Sequence, residues 1–289
     1  MSFQLFKLRS RSPKPNRIVL FFAALAGALL ISGEATAEIG DWVQAQHWRV
    51  RLLAAGPNPD GTLAGAIEIE LDDGWKTYWR SPGDTGLTPL LDFAGSANVA
   101  RVEVGFPPPR RWNDGYTVSN IYERHVVLPL FLTLNDPNSP VVIDVALQIG
   151  VCDQICIPAD LQAAITVPPG FTDGRAAQAI SAALALLPTA PMPGAFEVAS
   201  VDRPDGSEDE PVFEIALSLP DGKTPELFVE GPTDWYAAGP PIEISRSGNL
   251  AVYHVGFDRV GSTTSIGDAA LRITVVSGNQ AIEQTVPLR

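Results

Sequence analysis

Cysteine is nearly absent from this sequence of 289 residues, which has Cys152 and Cys156 and no others. Two cysteines exclude a framework of several disulfides and a four-cysteine zinc site within the chain. Basic residues are also few, with 20 Lys and Arg against 33 Asp and Glu and a formal net charge of −13. An acidic chain lacks the basic face that binds nucleic-acid phosphates, so we expect no nucleic-acid partner. Any thiol chemistry is confined to one place in the chain.

Soft and nitrogen metal ligands are scarce too. The chain has three histidines, His47, His125 and His254, and Met192 is the one methionine after residue 1. Two thiolates suit Cu(I), and His125 is the best placed residue to complete a three-ligand site with them. A histidine at a strand edge is nevertheless ordinary, and no methionine-rich tract accompanies the thiols. The sequence therefore predicts no metal site and no cofactor, with a copper-binding or copper-tolerance protein as the alternative.

Long apolar runs are limited to the amino terminus. Five basic residues precede the apolar residues 18–31, and Ala35-Thr36-Ala37 supplies the small-residue pattern that signal peptidase reads. This run is shorter than the roughly 20 residues needed to cross a bilayer. We expect residues 1–37 to be a cleavable signal peptide that exports the protein to the periplasm. The rest of the chain is not expected to span a membrane.

Strand patterns dominate the remaining sequence. Residues 66–71 alternate apolar and acidic side chains, which is typical of a strand with one face in a core and one in water. Similar runs recur at residues 48–54, 126–134, 141–149, 161–167, 212–219, 250–257 and 271–276. Turn signals rich in proline, glycine, asparagine and aspartate separate them. This spacing predicts an all-β chain of antiparallel, immunoglobulin-like sandwiches.

One helix and a linker divide the strands into two groups. Thr172 or Asp173 can cap a helix over residues 174–187, which Pro188 stops. The proline-rich residues 188–194 follow as a stiff linker. We therefore expect a first β-sandwich over residues 38–172, a helix and linker over 173–194, and a second β-sandwich over 195–289.

The spacing of the cysteines constrains the chain between them. A disulfide needs Cα atoms within about 7 Å, whereas four residues of extended strand cover roughly 13 Å. The chain must therefore turn, in a helical turn or a tight loop. So small a ring gains only about 2 kcal/mol from loop closure, which favours a redox role over a purely structural one. An inert exported disulfide stays open as the alternative.

Nothing next to the cysteines activates a thiol. Asp153 disfavours a thiolate beside it, and no Lys, Arg or His lies between the cysteines or adjoins them. Activation must therefore come from distant parts of the chain or from a partner. Neither the three-residue spacing nor the surrounding strands fit a thioredoxin fold.

Four motifs follow one another along the chain. They are the segment GWKTYWRSPGDTG at residues 74–86, FPPPR at 106–110, Tyr122 ahead of VLPL at 127–130, and the Cys152–Pro158 segment. In this order they resemble the amino-terminal periplasmic domain of the DsbD and ScsB thiol-disulfide interchange proteins. The resemblance covers roughly residues 48–167, and the three-residue spacing is closer to the ScsB-type branch.

The resemblance implies the roles of individual residues. Cys152 and Cys156 would carry the exchange, with Cys156 as the attacking thiol and Cys152 as the resolving one. Tyr116 and Tyr122 are similar to the family's cap region, which shields the cysteines from unwanted oxidation. Three further aromatic residues of the first motif are expected in the core or the wall of the site, namely Trp75, Tyr78 and Trp79.

The resemblance also implies the partners. Family members continue into a membrane-embedded domain and a carboxy-terminal thioredoxin domain, whereas this chain ends after its second β domain. We therefore expect a separate membrane-embedded thiol donor, a periplasmic thioredoxin-like acceptor, and a role as a protein-disulfide reductase component. The second domain is expected to be a spacer or docking module, in which Trp235-Tyr236 is a candidate contact.

Overall fold

The computed structural model describes residues 40–220 and 224–288. The predicted signal peptide, residues 1–37, lies outside the described residues. Within the described ranges, no helix is both long and apolar enough to cross a membrane.

The first part of the chain folds into a sandwich of two antiparallel sheets. Its strands are β1 (Val43–Gln44), β2 (Trp48–Pro57), β3 (Thr62–Leu71), β4 (Lys76–Gly83), β5 (Leu90–Asp92), β6 (Val99–Val104), β7 (Arg110–Asn113), β8 (Val118–Glu123), β9 (His125–Leu134), β10 (Val141–Cys152) and β11 (Cys156–Val167). One sheet has the order β1-β2-β3-β9-β6. The other has the order β11-β10-β4-β8-β7, and β5 pairs with β10 beside it.

Strand β3 follows its predicted alternation on the core side. Ile67 and Ile69 are buried between the sheets. The prediction that the acidic face lies in water is wrong at Glu68, whose side chain is 11% exposed. Its carboxylate accepts hydrogen bonds from Arg51 at 2.6 Å and from His125 at 2.9 Å. Burial raises the pKa of Glu68, but these two partners outweigh it and hold the pKa below its ordinary value.

The helix α1 (Gly174–Leu184) begins where its capping signal predicts. The Asp173 carboxylate accepts hydrogen bonds from the backbone N–H groups of Arg175 and Ala176, which have no partner within the helix.

The helix ends three residues earlier than predicted. Pro188 has no N–H to donate to the Leu184 carbonyl, and the last turn tightens. The Leu186 N–H donates to the Ala183 carbonyl, and the Leu187 N–H donates to the Leu184 carbonyl.

The apolar side of α1 covers the first sandwich from outside. Ala176 and Ile180 are buried against Leu53 of β2 and Ala66 of β3. These two strand residues lie on the face of the sheet that points away from the core. The helix thus belongs to the first sandwich and leads the chain from there into the second.

The second sandwich has its own core. Its strands are β12 (Glu197–Gly206), β13 (Pro211–Ser218), β14 (Glu226–Glu230), β15 (Tyr236–Ala237), β16 (Ile242–Ser247), β17 (Leu250–Asp258), β18 (Ala270–Ser277) and β19 (Gln280–Pro287). One sheet has the order β12-β13-β17-β15, with β16 also paired to β17, and the other has the order β14-β18-β19. The predicted all-β fold, with immunoglobulin-like domains and one short helix, is confirmed.

A phenylalanine of the second sandwich enters the core of the first. Phe228 on β14 is 2% exposed and packs with the core residues of the first sandwich. Its ring centroid lies 5.6 Å from that of Trp79, and the Arg111 guanidinium carbon lies 4.8 Å from the Phe228 centroid. Arg111 also donates to the Leu227 carbonyl at 2.6 Å. The sandwiches therefore share an apolar anchor.

A charge cluster lies beside this anchor. Arg80 on β4 forms a bidentate pair with Glu230 of β14 and also bonds Glu283 of β19. Its side chain is 14% exposed, and that of Glu230 is 15% exposed. Burial lowers the pKa of Arg80, but the two carboxylates outweigh it and raise the pKa above its ordinary value. The Arg80–Glu230 ion pair connects β4 to the second sandwich, and Arg80 lies only two residues after Tyr78 on that strand.

Candidate functional site

The two cysteines face each other at the tip of a long β-hairpin. Strands β10 and β11 pair continuously from Val141↔Val167 to Cys152↔Cys156. Cys152 ends one strand, Cys156 begins the other, and the two form a disulfide with Cα atoms 4.1 Å apart. The turn that the spacing requires is therefore a tight hairpin loop of residues 153–155 and not a turn of helix.

The two cysteines differ in their surroundings. Cys152 is 0% exposed and packs with Tyr78 and Ile121, with Trp112 beside them. Cys156 is exposed. An incoming thiol can therefore reach Cys156, whereas the apolar surroundings of Cys152 disfavour a free thiolate there.

The Tyr78 hydroxyl lies against both sulfurs. Its oxygen is 3.0 Å from the Cys156 Sγ and 3.3 Å from the Cys152 Sγ. Burial, assisted by the negative charge of Asp114, raises the pKa of Tyr78 above its ordinary value. The phenol therefore keeps its proton near neutral pH and can donate a hydrogen bond to a sulfur.

Two glycines make room for the Tyr78 ring. A Cβ atom at Gly86 would lie 2.6 Å from the Tyr78 Cε1, and one at Gly150 would lie 2.9 Å from its Cε2. Gly86 also has a φ of +139°, a backbone conformation that side chains rarely adopt. Loop 84–88 and strand β10 thus pack against two edges of the Tyr78 ring. The sequence interpretation placed Tyr78 in the core or the wall and gave it no chemical role.

A lysine lies next to the disulfide on the neighbouring strand. Lys76 on β4 pairs in register with Cys152. Its Nζ donates to the Asp153 carbonyl at 3.0 Å and lies 4.9 Å from the Trp112 ring centroid. Sequence reasoning found no basic residue beside the cysteines because Lys76 is adjacent only through strand pairing. Its one signal was its place in the first motif of the family resemblance.

The predicted cap residues lie elsewhere. Tyr116 is 96% exposed, so its ring covers no sulfur. Tyr122 is 8% exposed and belongs to the core of the first sandwich, where its hydroxyl donates to the Pro107 carbonyl at 2.6 Å. On strand β8 it is the neighbouring Ile121 that packs against Cys152, because successive side chains point to opposite faces. The structure therefore differs from the prediction for both tyrosines.

The other two aromatic residues of the first motif, Trp75 and Trp79, flank Lys76 and Tyr78 in the sequence. Trp79 is 1% exposed in the core, as predicted. The Trp75 ring stacks on the His47 imidazole with centroids 4.0 Å apart.

In the described part of the chain, the cysteines belong to no group of three or more potential metal ligands. The one group of three or more potential ligands found there is Glu68, Glu70 and His125, which contains no cysteine. Arg51 already contacts Glu68, and its positive charge opposes a metal ion at this group. His125, the residue considered for copper, is thus engaged on the other sheet, and Met192 lies in the linker.

Comparison with known proteins agrees with the geometry of the site. Residues 49–168 match the family model described as "Thiol:disulfide interchange protein DsbD, N-terminal". A similar solved structure is the N-terminal periplasmic domain of ScsB from Proteus mirabilis, with 20% identity and a TM-score of 0.69. The match covers 88% of this chain and 100% of that one. No curated protein matches.

These findings place the cysteine-bearing sandwich in a family. Residues 49–168 form a DsbD N-terminal domain, as the motifs predicted. The ScsB structure shows the same fold across both sandwiches. The domain thus belongs to a thiol-disulfide interchange family and carries a cysteine pair.

Proposed function

We propose that this protein is a periplasmic thiol-disulfide exchange protein. It accepts reducing equivalents from a membrane-embedded thiol donor and passes them to periplasmic thioredoxin-like proteins. One observation carries the proposal. Of the two cysteines in the disulfide at the tip of the hairpin, Cys152 is buried and Cys156 is exposed. A purely structural crosslink needs neither this asymmetry nor the Tyr78 hydroxyl beside both sulfurs.

Reduction of the pair begins at the exposed sulfur. A donor thiolate attacks the Cys156 Sγ, the disulfide breaks, and Cys152 leaves as a thiolate that takes up a proton. A second donor thiolate then attacks the donor sulfur of the mixed disulfide and releases Cys156. The donor becomes a disulfide, and this protein becomes a dithiol that has gained two electrons and two protons.

Delivery to the acceptor uses the same sulfurs in reverse. The Cys156 thiolate attacks the acceptor disulfide, forms a mixed disulfide and displaces one acceptor thiolate. Cys152 then loses its proton and attacks the Cys156 Sγ, which restores the disulfide and releases the acceptor as a dithiol. The Tyr78 hydroxyl can donate to the sulfur that carries negative charge in each step.

The second sandwich is proposed as a docking module. A cleft of about 490 Å³ separates loop 84–88 from the second sandwich, and Tyr236 lines it. Tyr236 is 70% exposed, whereas its neighbour Trp235 is 6% exposed in the core of the second sandwich. Gly86 lines the cleft and also adjoins Tyr78. A partner bound at the exchange site therefore has a second surface available nearby.

The reduction potential of the pair tests the exchange role. The expected value lies between roughly −180 and −270 mV, the range in which exchange proteins operate. It is measured by mass-tagging free thiols of the exported protein across a series of dithiol redox buffers. A value below about −300 mV is typical of structural disulfides and would refute the proposal.

Single-cysteine variants test the order of the steps. Cys152→Ser leaves the attacking thiol in place and should accumulate a mixed disulfide with a thioredoxin-like protein. Cys156→Ser is the matched control, because its remaining thiol is buried, and it should accumulate little. Equal trapping by both variants would contradict the assignment of Cys156.

The mass of the exported chain tests cleavage before Glu38.

A further inference from the structure

Lys76 occupies a position from which its charge can act on the cysteine pair. Lys76 and Cys152 are cross-strand partners on neighbouring strands β4 and β10. Directly opposite residues point to the same face and have Cβ atoms about 4.5–5.5 Å apart. Lys76 is half-buried, so part of its side chain is shielded from solvent.

The ammonium group is held at the base of the hairpin loop. Its hydrogen bond to the Asp153 carbonyl and its contact with the Trp112 ring come from two different elements. A lysine side chain is flexible, and these two contacts restrict it to the side of the loop that joins the two sulfurs. The positive charge therefore stays beside the loop that joins the two cysteines.

Acidic groups surround this end of the sheet, and several already contact a basic side chain. Glu123 lies across from Lys76 on β8 and pairs with Arg110. In the preceding turn, Asp72 pairs with His47 and Asp73 with Arg124.

Two further carboxylates and one phenol complete the set. Asp114 accepts hydrogen bonds from the backbone of its own turn. Asp153 lies in the hairpin loop itself, and its charge opposes that of a neighbouring thiolate. Tyr78 is neutral because its pKa is raised. Lys76 is thus the positive group bonded to the loop that holds the disulfide.

We propose that Lys76 is a positioning residue that stabilises the thiolate of the reduced pair and thereby raises its reduction potential. The inference rests on the proposed exchange function and adds how that site is tuned. A positive charge close to a thiolate favours the reduced form, and a stabilised reduced form makes a disulfide more oxidising. Lys76 supplies the activation that the residues flanking the cysteines lack.

Two substitutions separate charge from contact. Lys76→Gln removes the charge, and Lys76→Arg keeps it together with hydrogen-bond donors. The quantity measured is the equilibrium constant with a reference dithiol. In this reaction the reference is oxidised to a disulfide, the Cys152–Cys156 disulfide is reduced to a dithiol, and two electrons and two protons are transferred. For Lys76→Gln we expect this equilibrium constant to fall about tenfold, which is about 30 mV for a two-electron couple. Lys76→Arg should stay within about twofold of the wild type on the same scale.

A pH profile provides a second readout that a purely structural role would not change. The alkylation rate of the reduced protein is measured against pH, and the midpoint of the profile should move to higher pH in Lys76→Gln alone. High salt should shrink the difference, because it screens partly exposed charges. Arg101→Gln is the control for net charge, since Arg101 is exposed and lies on the opposite sheet.

Two results would overturn the inference. If Lys76→Gln matches the wild type in both measurements, the charge does not act on the pair. If Lys76→Arg is as impaired as Lys76→Gln, the geometry of the contact matters and the charge does not. Failure of the exchange function is a separate outcome: it appears as a wild-type potential in the range of structural disulfides, irrespective of any difference between variants.

Discussion

Replacing Phe228 with alanine should remove the main apolar anchor between the two sandwiches. The side chain is 2% exposed and packs in the core of the first sandwich although it belongs to the second. A buried aromatic side chain removes roughly 150–250 Å² from water, which is worth about 4–6 kcal/mol at 25 cal/mol per Å². Alanine retains the Cβ atom and the cavity relaxes in part, so we expect a loss of about 3–5 kcal/mol.

Urea denaturation followed by circular dichroism and tryptophan fluorescence measures this loss. Phe131→Ala is the matched control, because the same atoms are removed from a side chain that is 45% exposed on β9. The control should lose only about half as much, since Phe131 is already 45% exposed to water in the folded protein. Equal losses in the two variants, or a loss below about 1 kcal/mol in Phe228→Ala, would show that the anchor does not hold the sandwiches together.

Three further predictions concern the site and the surrounding charges. Tyr78→Phe should lower the reduction potential by about 30 mV, since a hydrogen bond to a charged sulfur is worth about 1.5 kcal/mol; an unchanged potential would exclude that bond. Tyr236→Ala should slow mixed-disulfide formation with a thioredoxin-like protein but leave the potential unchanged, and equal rates would argue against docking in the cleft. The hydrogen bond to Glu68 raises the pKa of His125 above its ordinary 6.5, so its stabilising contribution is complete below that pH and is lost as the pH rises through the folded value. Urea denaturation from pH 5 to 9 should show this decline in the wild type and less of it in His125→Gln, and identical pH profiles would contradict the assignment.

Local features of the sequence were sufficient to predict the fold class. Alternating side chains placed eight of the strands, because a strand has a period of two that is visible in a short window, but β4, which carries Lys76 and Tyr78, was not among them. The cap residue Asp173 located the start of the helix in the same way. The end of the helix was predicted three residues too late because its last turn closes with hydrogen bonds between residues three apart, Pro188 having no N–H for the Leu184 carbonyl.

The site was only partly accessible from the sequence. Cys152 and Cys156 were recognised because they are the only cysteines and lie four residues apart. The prediction for Tyr122 differed from the structure because a shift of one residue along a strand moves a side chain to the other face of the sheet. On β8 this shift places Ile121, and not Tyr122, against Cys152. Tyr116 differed because it lies in the exposed turn before β8 and not on a strand.

The sequence by itself determined eight of the strands, the helix start and the one position where thiol chemistry can occur, since each depends on residues close together in the chain. Tertiary structure alone decided which residues surround the disulfide. Lys76 and Tyr78 reach it through the pairing of β4 with β10, more than 70 residues apart in the chain. The insertion of Phe228 into the first sandwich is likewise a matter of packing between distant elements. No local pattern encodes such contacts, because they depend on strand order and register.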